Sequence, residues 1–408
     1  MRPTGYKVYR YRWAVLFAFM AVVMLNQLLW ITFAPITGEA ARYYRVPDLY
    51  IALLSLSFMV IYIFVSIPAS WVIDTYGLRA AVGIGAGLTG IFGLMRGLVA
   101  PQYIFILLTQ IGIAVGQPFI LNAVTTVAAR WFPVQERTTA AGLGTLAIYV
   151  GILAGLALTP YLTIRLGMQS MLLGYGVASI IAALIFFVFV RERPLTPAGP
   201  TSLVERSLVL DGFKQILHQK DFIFLMVVFF VGLGTFNAVT TWIEEIVRPR
   251  GFSIIQAGDA GGLMIAGGIL GALVIPVLSD HYHRKSPFLV LAVVGATLGL
   301  YGITFARNYT FLLISAIILG FFLLSAGPVG FQYGAEITYP APEGTSNGLL
   351  LLMGQISGIL FILGMDSFKS PVNGSMTFPL VALIALMILS LLLCLRLKEA
   401  KGVATLKT

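Results

Sequence analysis

The sequence predicts an all-α membrane protein: twelve transmembrane helices arranged as two pseudo-symmetric six-helix bundles. Three observations carry that expectation. Of 408 residues, 59% are hydrophobic and 10% charged, with a mean hydropathy of +0.94, more apolar surface than a water-soluble fold of this length can cover. Apolar stretches long enough to cross a bilayer follow one another with little polar sequence between them. Short charged motifs of the first half recur in the second half at a nearly constant offset.

A membrane-crossing helix needs roughly 20 apolar residues. Such stretches lie near 12–38, 49–74, 80–99, 102–130, 138–163 and 168–190, then near 221–247, 255–279, 286–306, 308–334, 345–366 and 375–396, here called spans 1 to 12. Backbone amides in hydrocarbon must be satisfied within their own segment, and these runs are too continuous for the alternating strands of an outer-membrane barrel, so each is expected to be a helix. Span 1 follows a polar, basic stretch from Met1 to Arg12 and is too long for a signal-peptide core, so it is expected to stay in the membrane. Spans 4 and 10 carry Gln117-Pro118 and Gly327-Pro328 at corresponding depths, where proline is expected to kink both helices. Glycines four apart, Gly83 and Gly87, Gly151 and Gly155, Gly267 and Gly271, are expected to let helices approach closely.

The longest polar interruption divides the chain into a bundle at 1–190, a linker at 191–220 and a second bundle at 221–408. The linker begins with Pro194, Pro197 and Pro200 and continues as an amphipathic stretch from Leu203 to Leu217, expected to lie on the cytoplasmic membrane surface. Eighteen of the 26 lysines and arginines fall on the side that carries the linker and both termini, which marks that side as cytoplasmic. The net charge of +10 follows mainly from this asymmetry, so the basic balance is read as membrane topology and nucleic-acid binding is not expected. A lone Cys394 excludes an internal disulfide. His218, His281 and His283 have no acidic or thiol cluster to complete a metal site, and neither metal nor cofactor is expected. The expected state is a monomer in the cell (inner) membrane, in contact with lipid and a small-molecule substrate.

Asp74-Thr75-Tyr76-Gly77-Leu78-Arg79 follows span 2 and Asp280-His281-Tyr282-His283-Arg284-Lys285 follows span 8, the aspartates 206 residues apart. Glu136-Arg137 follows span 4 and Glu343-Gly344 follows span 10, the glutamates 207 apart. Two matches at nearly one period argue a duplication. Two such halves resemble the major facilitator superfamily, and Asp74-x-x-Gly77-x-Arg79 resembles its loop motif between spans 2 and 3. That resemblance implies that Asp74, Gly77 and Arg79 belong to a charged latch that must open for the transporter to change state. Asp280 with Arg284 or Lys285 is the second copy, and Glu136, Arg137 and Glu343 are the matching elements after spans 4 and 10. Ser70 stands where the motif usually has glycine.

Charge within hydrocarbon is expensive and usually functional, yet the span interiors carry amides and aromatics instead: Asn26, Gln27 and Trp30 in span 1, Gln117 and Asn122 in span 4, Tyr149 in span 5, Phe236 and Asn237 in span 7, Gln355 in span 11. Arg96, Glu244, Glu245, Asp259 and Asp366 fall toward span ends, where Arg96 or Glu244 could face a water-filled vestibule. For any one amide, helix-to-helix glue is the competing role. As a set, neutral amides and aromatic walls suit a cation that cannot shed its charge, since a quaternary ammonium is attracted to a ring face by roughly 0.5–2 kcal/mol.

Ala335-Glu336-Ile337-Thr338-Tyr339-Pro340-Ala341-Pro342-Glu343-Gly344-Thr345-Ser346-Asn347-Gly348, followed by Gln355 and Gly358-Ile359-Leu360-Phe361, resembles the feline leukaemia virus subgroup C receptor family of facilitators. Tyr11-Arg12-Trp13, Trp30-Ile31 and Phe236-Asn237-Ala238-Val239 extend the likeness over most of the chain. The resemblance implies a choline or ethanolamine carrier, or a relative that moves haem or pyridoxine, with a binding site built from a span 1 tryptophan, a span 7 aromatic and glutamines in spans 5 and 11. Trp30 and Gln355 match that pattern; Phe236 replaces a tyrosine and Tyr149 replaces the span 5 glutamine, which opens the site to a larger or less polar amine, or to a neutral aromatic solute. A proton-coupled carrier of organic anions or drugs is the alternative. A membrane-embedded enzyme would need a nucleophile and base, or a metal cluster, at one depth, and no histidine lies inside a span.

Overall fold

The structure is a computed structural model that describes residues 6–99, 102–198, 219–339 and 343–399, the side chains of Glu343 and Gly344 excepted. Among these residues, twelve helices are long and apolar enough to cross a membrane. Spans 2, 3, 5 and 6 are Asp48–Tyr76, Leu78–Leu98, Arg137–Leu166 and Met168–Phe189. Spans 8 to 12 are Ile254–Tyr282, Ser286–Phe305, Tyr309–Thr338, Glu343–Ser367 and Thr377–Cys394. All are apolar around their circumference, which is why they leave residues such as Phe64, Ile67, Val188, Leu273 and Leu298 exposed on their outer faces for lipid.

Three spans are interrupted. Span 1 is Arg12–Ile31, then a 3-10 turn at Ala34–Ile36 and a short helix at Thr37–Tyr44. Pro35, in the first turn of the 3-10 segment, has no N–H to offer the Ile31 carbonyl, so the α-helix cannot run on. Span 4 stops at Leu121, turns at Asn122 and Ala123, and resumes as Val124–Trp131. Span 7 is Lys220–Thr241, broken at Trp242 before Ile243–Val247. Span 4 breaks just after Pro118, and span 10 continues as one helix through Pro328.

The chain divides into two compact units, Met1–Val204 and Glu205–Thr408. The division falls within 191–220, most of which lies outside the described residues, as do the stretch Leu203 to Leu217 and Pro340 to Pro342. In the first unit Phe19, Val23, Val82, Ile120, Val127, Phe132 and Phe186 form a core with no exposed surface. Spans 1 and 5 close on each other because Gly151 and Gly155 carry no side chain; a Cβ at 151 would lie 2.9 Å from the Gln27 Cβ. In the second unit Gly267 and Gly271 admit the backbone of span 10 at Ile317 and Phe321. Gly87 has nothing within 4 Å, so of the glycines expected to mediate packing it does not.

Candidate functional site

In the first unit the interruption of span 1 sets the position of Trp30, which is 6% exposed. Its indole N–H donates to the Ser55 carbonyl of span 2 at 3.1 Å, and the Ser55 hydroxyl donates back to the Trp30 carbonyl at 3.4 Å. With the N–H engaged, the π face is the chemistry Trp30 retains for a ligand. One turn earlier, Asn26 donates to the Thr89 hydroxyl at 3.0 Å and accepts from Gln27 at 3.3 Å. Asn26 thereby ties span 1 to span 3, the role of glue. Gln117, nearly buried in span 4, makes no hydrogen bond to another described residue, and half-buried Tyr149 in span 5 is in the same condition.

The second unit repeats the pattern on spans 7 and 11. Asn237 donates to the Gly354 carbonyl at 3.1 Å, the residue before Gln355. Gly234, one turn earlier on span 7, leaves room for Ser357 and Phe361. Phe236 and Asn237 therefore lie on the same helix pair as Gln355, whose half-buried amide makes no hydrogen bond to another described residue. The amides thus sort physically: Asn26 and Asn237 hold helices together, while Gln117 and Gln355 retain their donors and acceptors.

At the end of span 2, Gly77 adopts φ +95°, and a Cβ there would sit 2.6 Å from the carboxyl carbon of Glu192. Glycine is needed for both the backbone conformation and the space. Glu192 accepts from the backbone N–H groups of Leu78 (3.0 Å) and Arg79 (2.7 Å), placing an anion on the positive end of span 3. It also pairs with Arg130. Asp74 is exposed and acts electrostatically on Arg130; the Arg79 side chain donates to the Phe187 carbonyl at 3.2 Å. Glu136 holds Arg12 through two bonds, 3.0 and 3.2 Å, and Arg137 donates to the Phe132 carbonyl at 3.2 Å.

The second unit builds the same turn with different residues. His283 takes the left-handed conformation (φ +52°) at the place of Gly77, and Glu399 accepts from the backbone N–H groups of Lys285 and Ser286. The Lys285 side chain pairs with Glu336 at 2.7 Å, while Asp280 and Arg284 are exposed. Sequence reasoning singled out neither Glu192 nor Glu399. A signal was present: they stand 207 residues apart, the period of the duplication. The Glu343 side chain lies outside the described residues.

Sequence reasoning allowed Arg96 and Glu244 to face water, and the structure corrects this. Arg96 is 1% exposed and Glu244 2%, both enclosed by protein. Glu245, also buried, pairs with Arg248 and Lys369, and Arg248 reaches Glu244 at 3.4 Å. Buried charge survives there because each carboxylate has a cation beside it. A further cluster joins spans 2 and 4: Tyr62 donates to Asn122 at 2.8 Å, and Asn122 donates to the Ser66 and Ser70 hydroxyls at 3.0 Å each. That contact explains serine at 70, and it fixes the break in span 4.

Residues 15–362 match the family described as the Major Facilitator Superfamily. Solute carrier family 49 member A3 of Xenopus tropicalis is 29% identical over 384 residues, covering 90% of this chain and 80% of its own. The choline/ethanolamine transporter FLVCR1 of Mus musculus is 27% identical over 395 residues, 89% of this chain and 70% of its own. Among solved structures, a bacterial homolog of the human lysosomal transporter Spinster, inward-facing and unoccupied, superimposes with a TM-score of 0.72 at 17% identity, covering 95% of this chain and 96% of that one. This last likeness speaks to the fold.

Proposed function

This chain belongs to the Major Facilitator Superfamily, and from that premise we propose that its substrate is a small quaternary or protonated amine of the choline and ethanolamine kind, moved by alternating access. At the coarser level it is a multi-pass membrane transporter of small solutes. The observation that carries the finer reading is the state of Trp30. Its N–H is taken by Ser55, so the chemistry left to it for a ligand is the negatively polarised ring face, which attracts quaternary and protonated amines alike. Within the second unit, Gln355 keeps an uncommitted amide and lies on the same helix pair as Phe236, residue types that also suit an amine. Relatives that carry choline and ethanolamine support the same class.

A thermal-shift screen of the purified protein tests the reading. A ligand that binds only the folded state stabilises it by RT ln(1 + [L]/Kd), about 2.7 kcal/mol at one hundred times Kd. Choline, ethanolamine and tetraethylammonium should raise the melting temperature; pyridoxine and dicarboxylates should not. Stabilisation by the anions alone would overturn the amine reading and support the proton-coupled anion carrier.

A further inference from the structure

Arg96 is a guanidinium enclosed within a membrane span, and among the described residues no carboxylate lies within ion-pair distance of it. Such a charge is expensive and is ordinarily kept for a task. Its hydrogen bonds converge on the interruption of span 1. Nη1 donates to the Leu29 carbonyl at 3.0 Å and to the Gln110 side-chain oxygen at 2.8 Å; Nη2 donates to the Thr32 hydroxyl at 3.3 Å. Gln110 in turn donates to the same Leu29 carbonyl at 3.2 Å. The guanidinium carbon lies 5.3 Å from the centre of the Phe33 ring. Leu29 precedes Trp30 directly, and Thr32 and Phe33 follow it within three residues.

The helix of span 1 ends at Ile31, so its last carbonyls lack intrahelical donors and form the negative end of the helix dipole. A planar, two-pronged cation matches that end, and the dipole together with the Phe33 face takes the place of a carboxylate. We propose that Arg96, braced by Gln110, is a positioning residue: it clamps the carbonyl end of span 1 and thereby holds the Trp30 ring in the orientation that binds substrate. The last clause rests on Trp30 as a substrate contact; the clamp itself does not.

The test uses the full-length protein with Arg96→Met and Arg96→Lys, each in the native, Trp30→Phe and Trp30→Leu backgrounds. Tryptophan emission and its quenching by acrylamide report the ring directly. Arg96→Met should raise quenching of the Trp30 contribution about twofold, a change absent from the Trp30→Phe background. Choline affinity should fall about fivefold with Arg96→Met in the native background and no further in the Trp30→Leu background, since the two residues act as one unit. Arg96→Lys keeps charge but loses the fork, and should show the same pattern at smaller amplitude; it carries the comparison if the methionine variant does not fold. A residue that only fills space would lower the melting temperature with Trp30 emission unmoved, or weaken choline equally in both backgrounds, and either result overturns the proposal. If Trp30→Leu alone leaves choline binding intact, the amine reading fails, and the quenching comparison still decides the clamp.

Discussion

Gly267→Ala should open the contact between spans 8 and 10. A Cβ at 267 would lie 2.6 Å from the Ile317 carbonyl oxygen and 3.1 Å from its Cα. Carbon-to-oxygen contacts in packed helices sit at roughly 3.3–3.6 Å, so the helices must part or bend by about 0.7–1 Å. The obstacle is backbone, which no rotamer change relieves. Overpacking of this kind costs about 1–3 kcal/mol, and for a unit near 200 residues each kcal/mol lowers the melting temperature by roughly 2–4 °C. Gly364→Ala in the same unit is the control, because a Cβ there meets nothing within 4 Å; it should be neutral or stabilise by up to about 1 kcal/mol through reduced chain entropy. Circular-dichroism melts in detergent give the comparison. Labelling of the one cysteine, Cys394, which is fully buried, gives an independent reading: the thiol should react sooner in Gly267→Ala on heating. Equal melts for the two variants would refute the packing argument.

Glu192→Gln removes the anion that caps span 3 and neutralises the partner of Arg130, and should destabilise the first unit by about 1–2 kcal/mol in unfolding measurements; an unchanged melt would show the carboxylate to be merely solvated. Lys369→Met should cost somewhat less than the roughly 3–5 kcal/mol typical of a broken buried pair, since Arg248 still faces Glu245, and adding Glu245→Gln should recover part of the loss in a double-mutant cycle. Asp74→Asn should slow uptake into vesicles while leaving substrate affinity within a few-fold; a parallel loss of both would contradict a latch. Gln355→Ala should weaken choline binding by about 1 kcal/mol with no change in melting temperature, because its amide supports no other described residue.

The limits of the spans are legible in the sequence because transfer from water to hydrocarbon is a property of composition, and composition changes sharply at residues such as Asp74 and Arg191. The interruptions are legible only in part: nothing in the sequence around Trp242 marks the third, whereas Pro118 marks the second and Pro35 adjoins the first. What allows the backbone to leave the helix there comes from other helices: Arg96 and Gln110 at the first break, Ser66 and Ser70 at the second. The polar residues of the span interiors are visible as a set, but an amide that binds a neighbour and one that remains uncommitted look alike until partners are known, which is what separates Asn237 from Gln355. Arg96 shows the same limit from the other side. Its position in span 3 places it toward a membrane face, and only the turn of span 1 packed against it makes it a buried cation.

Substrate recognition by the Trp30 ring face is the central claim, and calorimetric titration of choline into three proteins tests it most directly: the native chain, Trp30→Phe and Trp30→Leu. Phenylalanine and leucine both fill an apolar space, and only phenylalanine presents a π face. Trp30→Phe should retain part of the affinity, whereas Trp30→Leu should lose roughly 1–2 kcal/mol, about 5- to 30-fold in Kd. Indistinguishable affinities for the two variants would contradict the account and leave Trp30 a packing residue.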